Sequence, residues 1–248
     1  MMIRSFPEEE RTKMAKRRRV LLKLSGEALQ DKSTGRYDLE TVREVARQVR
    51  EAVDAGVEIG IVIGGGNIWR GRTGNEIDRT KSDEIGMLAT VMNCLYVSEV
   101  FREAGMKTEI FTPFIIGRIT ELFSKDAANQ AFSEGKVLFF AGGTGHPYFS
   151  TDTGITLRAV QMEADEILLA KSIDGVYDSD PALNPDAKKF DVISIHDVVE
   201  MKLGVIDRTA AVMCEDNHMA LAVFDLRKPN SIRDALKGQI NGTRVTAD

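Results

Sequence analysis

The chain has 248 residues, of which 43% are hydrophobic and 29% are charged, close to the average of folded globular proteins. This composition excludes collagen-like, disulfide-scaffold and intrinsically disordered chains. The formal net charge of −5 argues against general attraction to nucleic acid or to an anionic membrane, so we expect neither partner. An anionic ligand therefore requires a local binding site.

Residues 1–18 carry charges of both signs and are predicted to form a disordered tail, which leaves residues 19–248 as a single domain. Short apolar segments then predict strands at 19–24, 57–63, 107–111, 136–140, 166–170 and 220–225. Apolar residues between them recur at helical spacing, most clearly from Leu39 to Val53 and from Leu88 to Val100. The alternation predicts an α/β fold with a mostly parallel central sheet covered by helices on both faces.

The cysteines and histidines of the sequence suggest no redox or transition-metal chemistry. Cys94 and Cys214 form no C-x-x-C pattern, so we expect reduced, buried thiols. The three histidines are far apart, and their spacing does not favour a dedicated metal site. The apolar run after residue 19 is too short for a signal peptide, and we expect a cytoplasmic protein.

Four polar or glycine-rich loops follow predicted strands, at 23–26, 64–67, 142–145 and 171–180. Because the carboxyl ends of parallel strands meet at one edge of a sheet, these loops are expected to converge on one crevice. Three successive glycines at 64–66 favour a turn whose backbone N–H groups bind phosphate, although a plain tight turn is the alternative. The spacing fits neither a dinucleotide-binding fingerprint nor a P-loop.

Cationic side chains accompany two of these loops. Lys23 lies at the end of the first strand, and Arg70 follows the glycine turn. Each has a simpler interpretation, as a solvated surface charge or as a surface ion pair, but their positions favour phosphate binding.

The two later loops also admit a structural and a functional interpretation. The loop 142–152 combines glycines, aromatic rings and hydroxyl groups suited to a small planar polar ligand, or is a surface loop ending in a helix capped by Thr151 or Asp152. The acidic segment 174–181 lacks the spacing of a calcium loop and is a turn or a nucleotide contact. Asp83 is most simply an N-terminal charge of a long helix. Together the loops predict a polyphosphate crevice suited to phosphoryl transfer.

The sequence resembles the bacterial UMP kinases of the amino-acid kinase superfamily. The resemblance rests on VLLKLSGEAL at 20–29, VIGGGNIWRG at 62–71, GMLATVMN at 86–93, the loop 142–152 and DGVY at 174–177. It implies a three-layer α/β/α fold that transfers a phosphoryl group from MgATP to UMP in pyrimidine nucleotide biosynthesis. It also implies a cytosolic homohexamer that is allosterically controlled by nucleotide effectors such as the inhibitor UTP.

The resemblance further assigns roles by position. It implies ATP contacts for Lys23, Leu24, Ser25, Gly26, Gly66, Arg70, Lys171, Tyr177 and Asp180. It implies UMP contacts for Gly65, Asp83, Thr144, Gly145, His146, Pro147, Tyr148, Phe149, Ser150 and Thr151. Catalytic roles fall to Lys23, Arg70, Asp152 and Asp180, with Asp152 orienting Lys23 and Mg²⁺. No covalent phosphoenzyme is expected, and no protein metal site, because the ATP phosphates hold Mg²⁺.

The sequence departs from the pattern of the bacterial UMP kinases at several positions. His146 replaces the usual Asn, Ser150 the usual Thr, and Lys171 a common Thr. The segment 31–36 contains one glycine where relatives activated by GTP carry more, which argues against GTP activation. Two functions remain open from the sequence: a catalyst that makes UDP, and a binding protein of the same fold without turnover.

Overall fold

The structure is a computed structural model that describes residues 17–31, 33–35, 37–70 and 77–247. Most of the predicted tail 1–18 lies outside the described residues, as do positions 32 and 36 of the segment on which the GTP expectation rests. Arg18 donates hydrogen bonds to the Leu236 carbonyl and to the Glu166 carboxylate. This residue is therefore tied to the folded domain.

The described residues form strands and helices in alternation. The strands are β1 (Arg19–Leu24), β2 (Glu58–Ile63), β3 (Thr108–Thr112), β4 (Glu121–Leu122), β5 (Val137–Phe140), β6 (Glu166–Lys171), β7 (Val176–Tyr177), β8 (Lys189–Phe190), β9 (Val192–Ser194), β10 (Leu221–Asp225) and β11 (Gly242–Thr246). The helices are α1 (Leu39–Asp54), α2 (Arg79–Glu103), α3 (Lys125–Ser133), α4 (Thr151–Gln161), α5 (Ile195–Glu200), α6 (Arg208–Asp216) and α7 (Ser231–Leu236). Each predicted strand is confirmed to within one residue at either end.

The main sheet has the strand order β4-β3-β5-β2-β1-β6-β10-β11-β9. Neighbouring strands are parallel except for β10 and β11, which are antiparallel. Strands that precede the loop 141–150 form one half of the sheet, and strands that follow it form the other. The strands β7 and β8 pair separately as a short antiparallel hairpin.

Helices cover both faces of the sheet, because successive strand side chains point to opposite faces. Leu22 of β1 and Leu168 of β6 are fully buried in the cluster that includes residues of α1, α2 and α7. Leu21 and Leu169 are fully buried in the opposite cluster, with residues of α3, α4, α5 and α6. The expected three-layer arrangement of a mostly parallel sheet between helices is confirmed.

The longest helix, α2, is apolar on more than one side. By length and composition alone it is sufficient to cross a membrane, but half of its most apolar window is buried within the structure, as in the core helix of a globular domain. Val91 and Val97 pack against the sheet, whereas Leu88 and Met92 are 50% and 56% exposed. The helix therefore has a buried face toward the sheet and a second apolar face toward solvent.

Candidate active site

The loops after β1 and β2 contact each other at the carboxyl edge of the sheet. Asn93 of α2 is fully buried and donates hydrogen bonds to the Gly64 carbonyl at 2.7 Å and to Asn67 Oδ1 at 2.8 Å. A Cβ atom on Gly26 would overlap the Gly64 carbonyl and the Asn67 amide. The first loop therefore requires glycine at this position, and α2 fixes the glycine turn from behind.

A first cavity, which we call the glycine-turn cavity, has a volume of about 180 Å³ and lies between this turn, α2 and the loop before α4. The predicted UMP residues that line it are Gly65, Asp83, Thr144, His146, Phe149, Ser150 and Thr151. Gly145, Pro147 and Tyr148 are not among the lining residues, and Tyr148 is 64% exposed. Met87 and Thr90 of α2 also line the cavity, although the sequence reasoning assigned neither a role.

Asp83 joins α2 to the loop before α4. The helix begins at Arg79 with Asp78 as its N-cap, so the interpretation of Asp83 as the N-terminal charge was wrong. Asp83 Oδ2 instead accepts hydrogen bonds from Arg79 Nε at 2.8 Å and from the Tyr148 backbone N–H at 2.9 Å. This carboxylate therefore sets the position of the aromatic part of the loop over the glycine-turn cavity.

Ser150, rather than Thr151 or Asp152, caps α4. Its Oγ accepts hydrogen bonds from the backbone N–H groups of Asp152 and Thr153, at 3.0 and 3.3 Å, and donates one to Asp207. Asp207 also accepts from Thr153 Oγ1 at 3.0 Å. The sequence reasoning missed Asp207, because its only local signal is that of an ordinary helix cap, a role it also performs for α6.

Asp152, in the first turn of α4, contacts two lysines. Lys23 Nζ donates to Asp152 Oδ1, and Lys171 Nζ lies 3.7 Å from Asp152 Oδ2. Burial alone would raise the pKa of Asp152, but the two ammonium groups outweigh it and lower that pKa. Asp152 is therefore ionised at neutral pH and holds cations from β1 and β6 next to each other.

A second cavity, which we call the hairpin cavity, has a volume of about 330 Å³ and is lined by β7 of the hairpin, the start of the loop that follows β7, and the segment before α6. The predicted ATP residues Lys171, Tyr177 and Asp180 line it. Tyr177 donates its hydroxyl to Asp174 at 2.7 Å, and Lys189 and Lys228 lie 3.3 and 3.4 Å from the same carboxylate. These contacts fix the wall of the hairpin cavity.

Four predicted ATP residues lie elsewhere at the edge of the sheet. Gly66 lines the glycine-turn cavity, and Ser25 lines a further cavity of about 620 Å³ between α1 and the turn after β10. Arg70 forms an ion pair with Glu27 and is not among the residues that line these cavities. Leu24 is fully buried and belongs to the hydrophobic core, and it is not among the residues that line these cavities.

Within the part of the chain that the structure describes, no group of three or more His, Cys, Asp or Glu side chains is arranged to hold a metal ion. Mg²⁺ in nucleotide-dependent enzymes is commonly held by one or two carboxylates together with substrate phosphates and water. Asp180 in the hairpin cavity and Asp152 beside it supply carboxylates of that kind. These residues fit a magnesium ion that arrives with a nucleotide.

Sequence and structure comparisons identify relatives of this arrangement. The sequence model of the amino acid kinase family matches residues 18–225. The chain belongs to the amino acid kinase family. The matched segment begins one residue before β1 and ends with the last residue of β10. It therefore includes the residues that line the glycine-turn cavity and the hairpin cavity.

Solved structures of two bacterial members are similar over nearly the whole chain. The UMP kinase from Bacillus anthracis is 34% identical, with a TM-score of 0.89, over 93% of this chain and 96% of that one. The UMP kinase from Ureaplasma parvum is also 34% identical, with a TM-score of 0.87, over 93% and 99%. A uridylate kinase from Archaeoglobus fulgidus is 26% identical, with a TM-score of 0.70, over 92% and 99%.

Proposed function

We propose that this member of the amino acid kinase family transfers the terminal phosphoryl group of MgATP to UMP, producing UDP and ADP for pyrimidine nucleotide synthesis. One observation carries the proposal: Asp152, paired with Lys23, lies between the glycine-turn cavity and the hairpin cavity. Its neighbour Thr151 lines the first, and its partner Lys171 lines the second. Two ligands bound in these cavities have a cation at the point where they meet.

The donor nucleotide belongs in the hairpin cavity. Tyr177, Asp180 and Lys171 line that cavity, and Lys171 shares the Asp152 carboxylate with Lys23. Magnesium bound to the donor phosphates would reduce their negative charge, and Asp180 and Asp152 are the carboxylates that would help to hold it. Lys23, held by Asp152, neutralises charge on the phosphoryl group.

The acceptor UMP belongs in the glycine-turn cavity. The backbone N–H groups of the glycine turn suit its phosphate, and Asp83 has a carboxylate oxygen suited to ribose hydroxyls. Thr144 and His146 offer polar groups to the base, whereas the Ser150 hydroxyl is engaged in capping α4. Transfer then requires no protein nucleophile, because an acceptor phosphate oxygen attacks the donor phosphorus directly and the bond to the leaving ADP oxygen breaks.

The proposal includes a homohexameric, cytoplasmic enzyme that is inhibited by UTP. Self-association is supported by the exposed apolar side chains of α2, where Ile85, Leu88, Met92 and Leu95 recur at helical spacing. We do not include GTP activation, because the segment 31–36 contains a single glycine, Gly35.

The experiment that tests the proposal measures ADP release from ATP with and without UMP. We expect release that depends on UMP, and at least ~10²-fold lower turnover in Lys23→Ala, because the variant loses a cation on the transferring group. Thermal unfolding of the variant serves as the control for folding. ATP and UMP that bind without ADP release would instead support a binding protein without turnover.

A further inference from the structure

Strand geometry places two lysines on one face of the sheet. Lys23 stands two residues after Leu21 on β1, and Lys171 stands two residues after Leu169 on β6. Both leucines belong to the core cluster that contains α4 residues. The strands are adjacent and parallel, with Lys23 level with Leu169. Because side chains two apart share a face, both lysines extend that row toward the first turn of α4.

Both ammonium groups are held rather than mobile. Lys171 Nζ donates to the Val205 carbonyl and lies 3.7 Å from Asp152 Oδ2, while Lys23 Nζ binds the other oxygen of the same carboxylate. The side chains of Lys171, Lys23 and Asp152 are 21%, 17% and 13% exposed. A lysine ammonium has three N–H donors, so Lys171 has donor capacity left for a ligand.

Lys171 lines the hairpin cavity and also the cavity of about 620 Å³ beside α1, and its ammonium group lies next to Asp152. Thr151 lines the glycine-turn cavity, and Lys171 lines the hairpin cavity. A phosphoryl group that passes from one cavity to the other must therefore pass the carboxylate that both lysines share. Burial lowers the pKa of Lys171, an effect that Asp152 opposes. A bound anion opposes it in the same way.

We propose that Lys171 is a catalytic residue that contacts the transferring phosphoryl group together with Lys23, where the resemblance implies only an ATP contact. The inference rests on the proposed function and adds a residue to it. During transfer an acceptor phosphate oxygen forms a bond to the γ-phosphorus, and the bond to the bridging oxygen breaks, leaving its electron pair on ADP. Asp152, which pairs with both lysines, holds their ammonium groups next to each other during this step.

The test compares Lys171→Met and Lys171→Thr with the wild type in steady-state kinetics for ATP and UMP. We expect kcat to fall ~10²-fold in both, with each KM within about threefold of the wild type, because the lost contact is made in the transition state. Lys171→Arg retains the charge and should recover at least about a tenth of the wild-type kcat. Lys125→Met, which removes an exposed lysine paired with Glu163, is the matched control and should leave kcat unchanged.

A kcat reduced less than about tenfold in both variants, or a loss confined to the KM for ATP, would overturn the assignment of Lys171. Thermal unfolding shows whether Lys171→Met and Lys171→Thr fold. If one of them does not, the kinetics of the other decide whether Lys171 is catalytic. The wild-type measurement separates this inference from the proposed function. Wild type that releases no ADP with UMP contradicts the proposed function, whereas active wild type with active Lys171→Met contradicts only the inference.

Discussion

Asp174 connects three separate parts of the chain through one carboxylate. It accepts hydrogen bonds from Tyr177, Lys189 and Lys228, and its pKa is lowered to about 2, chiefly by the hydrogen bond from Tyr177. A carboxylate whose pKa is lower in the folded chain than in the unfolded chain stabilises the fold above its unfolded value. That stabilisation is lost as the pH falls from about 4 toward 2.

We therefore predict that Asp174→Asn lowers the free energy of unfolding by roughly 1 to 2 kcal/mol near pH 7, a range reduced for partial solvent exposure. The difference from the wild type should shrink as the pH is lowered through 4. Thermal unfolding at pH 7, 4 and 3 measures it. Asp186→Asn changes an exposed carboxylate of a nearby loop and is the control. A difference between Asp174→Asn and the wild type that does not change with pH would contradict the role of the charge.

The sequence allowed some site residues to be placed and not others, for reasons that differ by residue. Lys23 was predictable because a charged residue ends an apolar strand beside a small-residue loop. Asp207 was not, because its bond to Ser150 spans 57 positions and depends on how α4 packs against α6. Arg70 was predicted to clamp phosphate, but in the structure it pairs with Glu27, and its predicted role stays untested.

The packing of α2 on the glycine turn depends on Gly65. A Cβ atom there would lie 2.8 Å from the Gly86 carbonyl and 3.0 Å from the Ala89 side chain. At Gly64 the nearest atoms would be 3.9 Å away, an ordinary contact distance. Two adjacent glycines of one turn therefore differ in whether a methyl group fits.

We predict that Gly65→Ala destabilises the protein by about 1 to 3 kcal/mol, because backbone and helix must shift to admit the methyl group. The shift should also weaken UMP binding in the cavity that Gly65 lines. Gly64→Ala is the matched control and should unfold near the wild-type temperature. Thermal unfolding and UMP titration of both variants test this, and equal stability of the two would contradict the described packing.

At the level of elements, strands were predicted where apolar residues are buried on both faces of the sheet. The strands β4, β7, β8 and β9 have only two or three residues each, too few for a sequence pattern. β11 reads GTRVT, in which buried residues alternate with partly or fully exposed ones and one of the buried residues, Thr243, is polar. Its antiparallel pairing with β10 followed from no signal in the sequence. In α2 the helical spacing was recognised, but it did not show which apolar residues face solvent.

The exposed face of α2 leads to a prediction for the whole molecule. Met92 is 56% exposed within the row of apolar side chains that also contains Leu88 and Leu95. If this face is covered in a homohexamer, Met92→Glu places a charge in an apolar interface and should yield smaller species. Leu183→Glu places a charge at an apolar side chain that is 84% exposed in a loop and is the control.

Sedimentation velocity of the two variants and the wild type measures the effect. We expect a hexamer for the wild type and for Leu183→Glu, and dimers or monomers for Met92→Glu. A wild-type monomer would contradict the proposed oligomer. An intact Met92→Glu hexamer would show that other surfaces hold the subunits together.

The proposed phosphorylation of UMP is tested most directly by comparing kcat/KM for UMP with kcat/KM for CMP. Uracil presents O4 as an acceptor and N3–H as a donor, whereas cytosine presents an N4 amino donor and an N3 acceptor. A buried site satisfied by one base leaves groups unpaired with the other, which discriminates by as much as ~10⁴-fold. His146 lines the cavity, and its imidazole ring presents a donor or an acceptor to the base according to its tautomer. We predict strong preference for UMP, and CMP turnover within about tenfold of UMP, a gap of only ~1.4 kcal/mol, would contradict the proposed function.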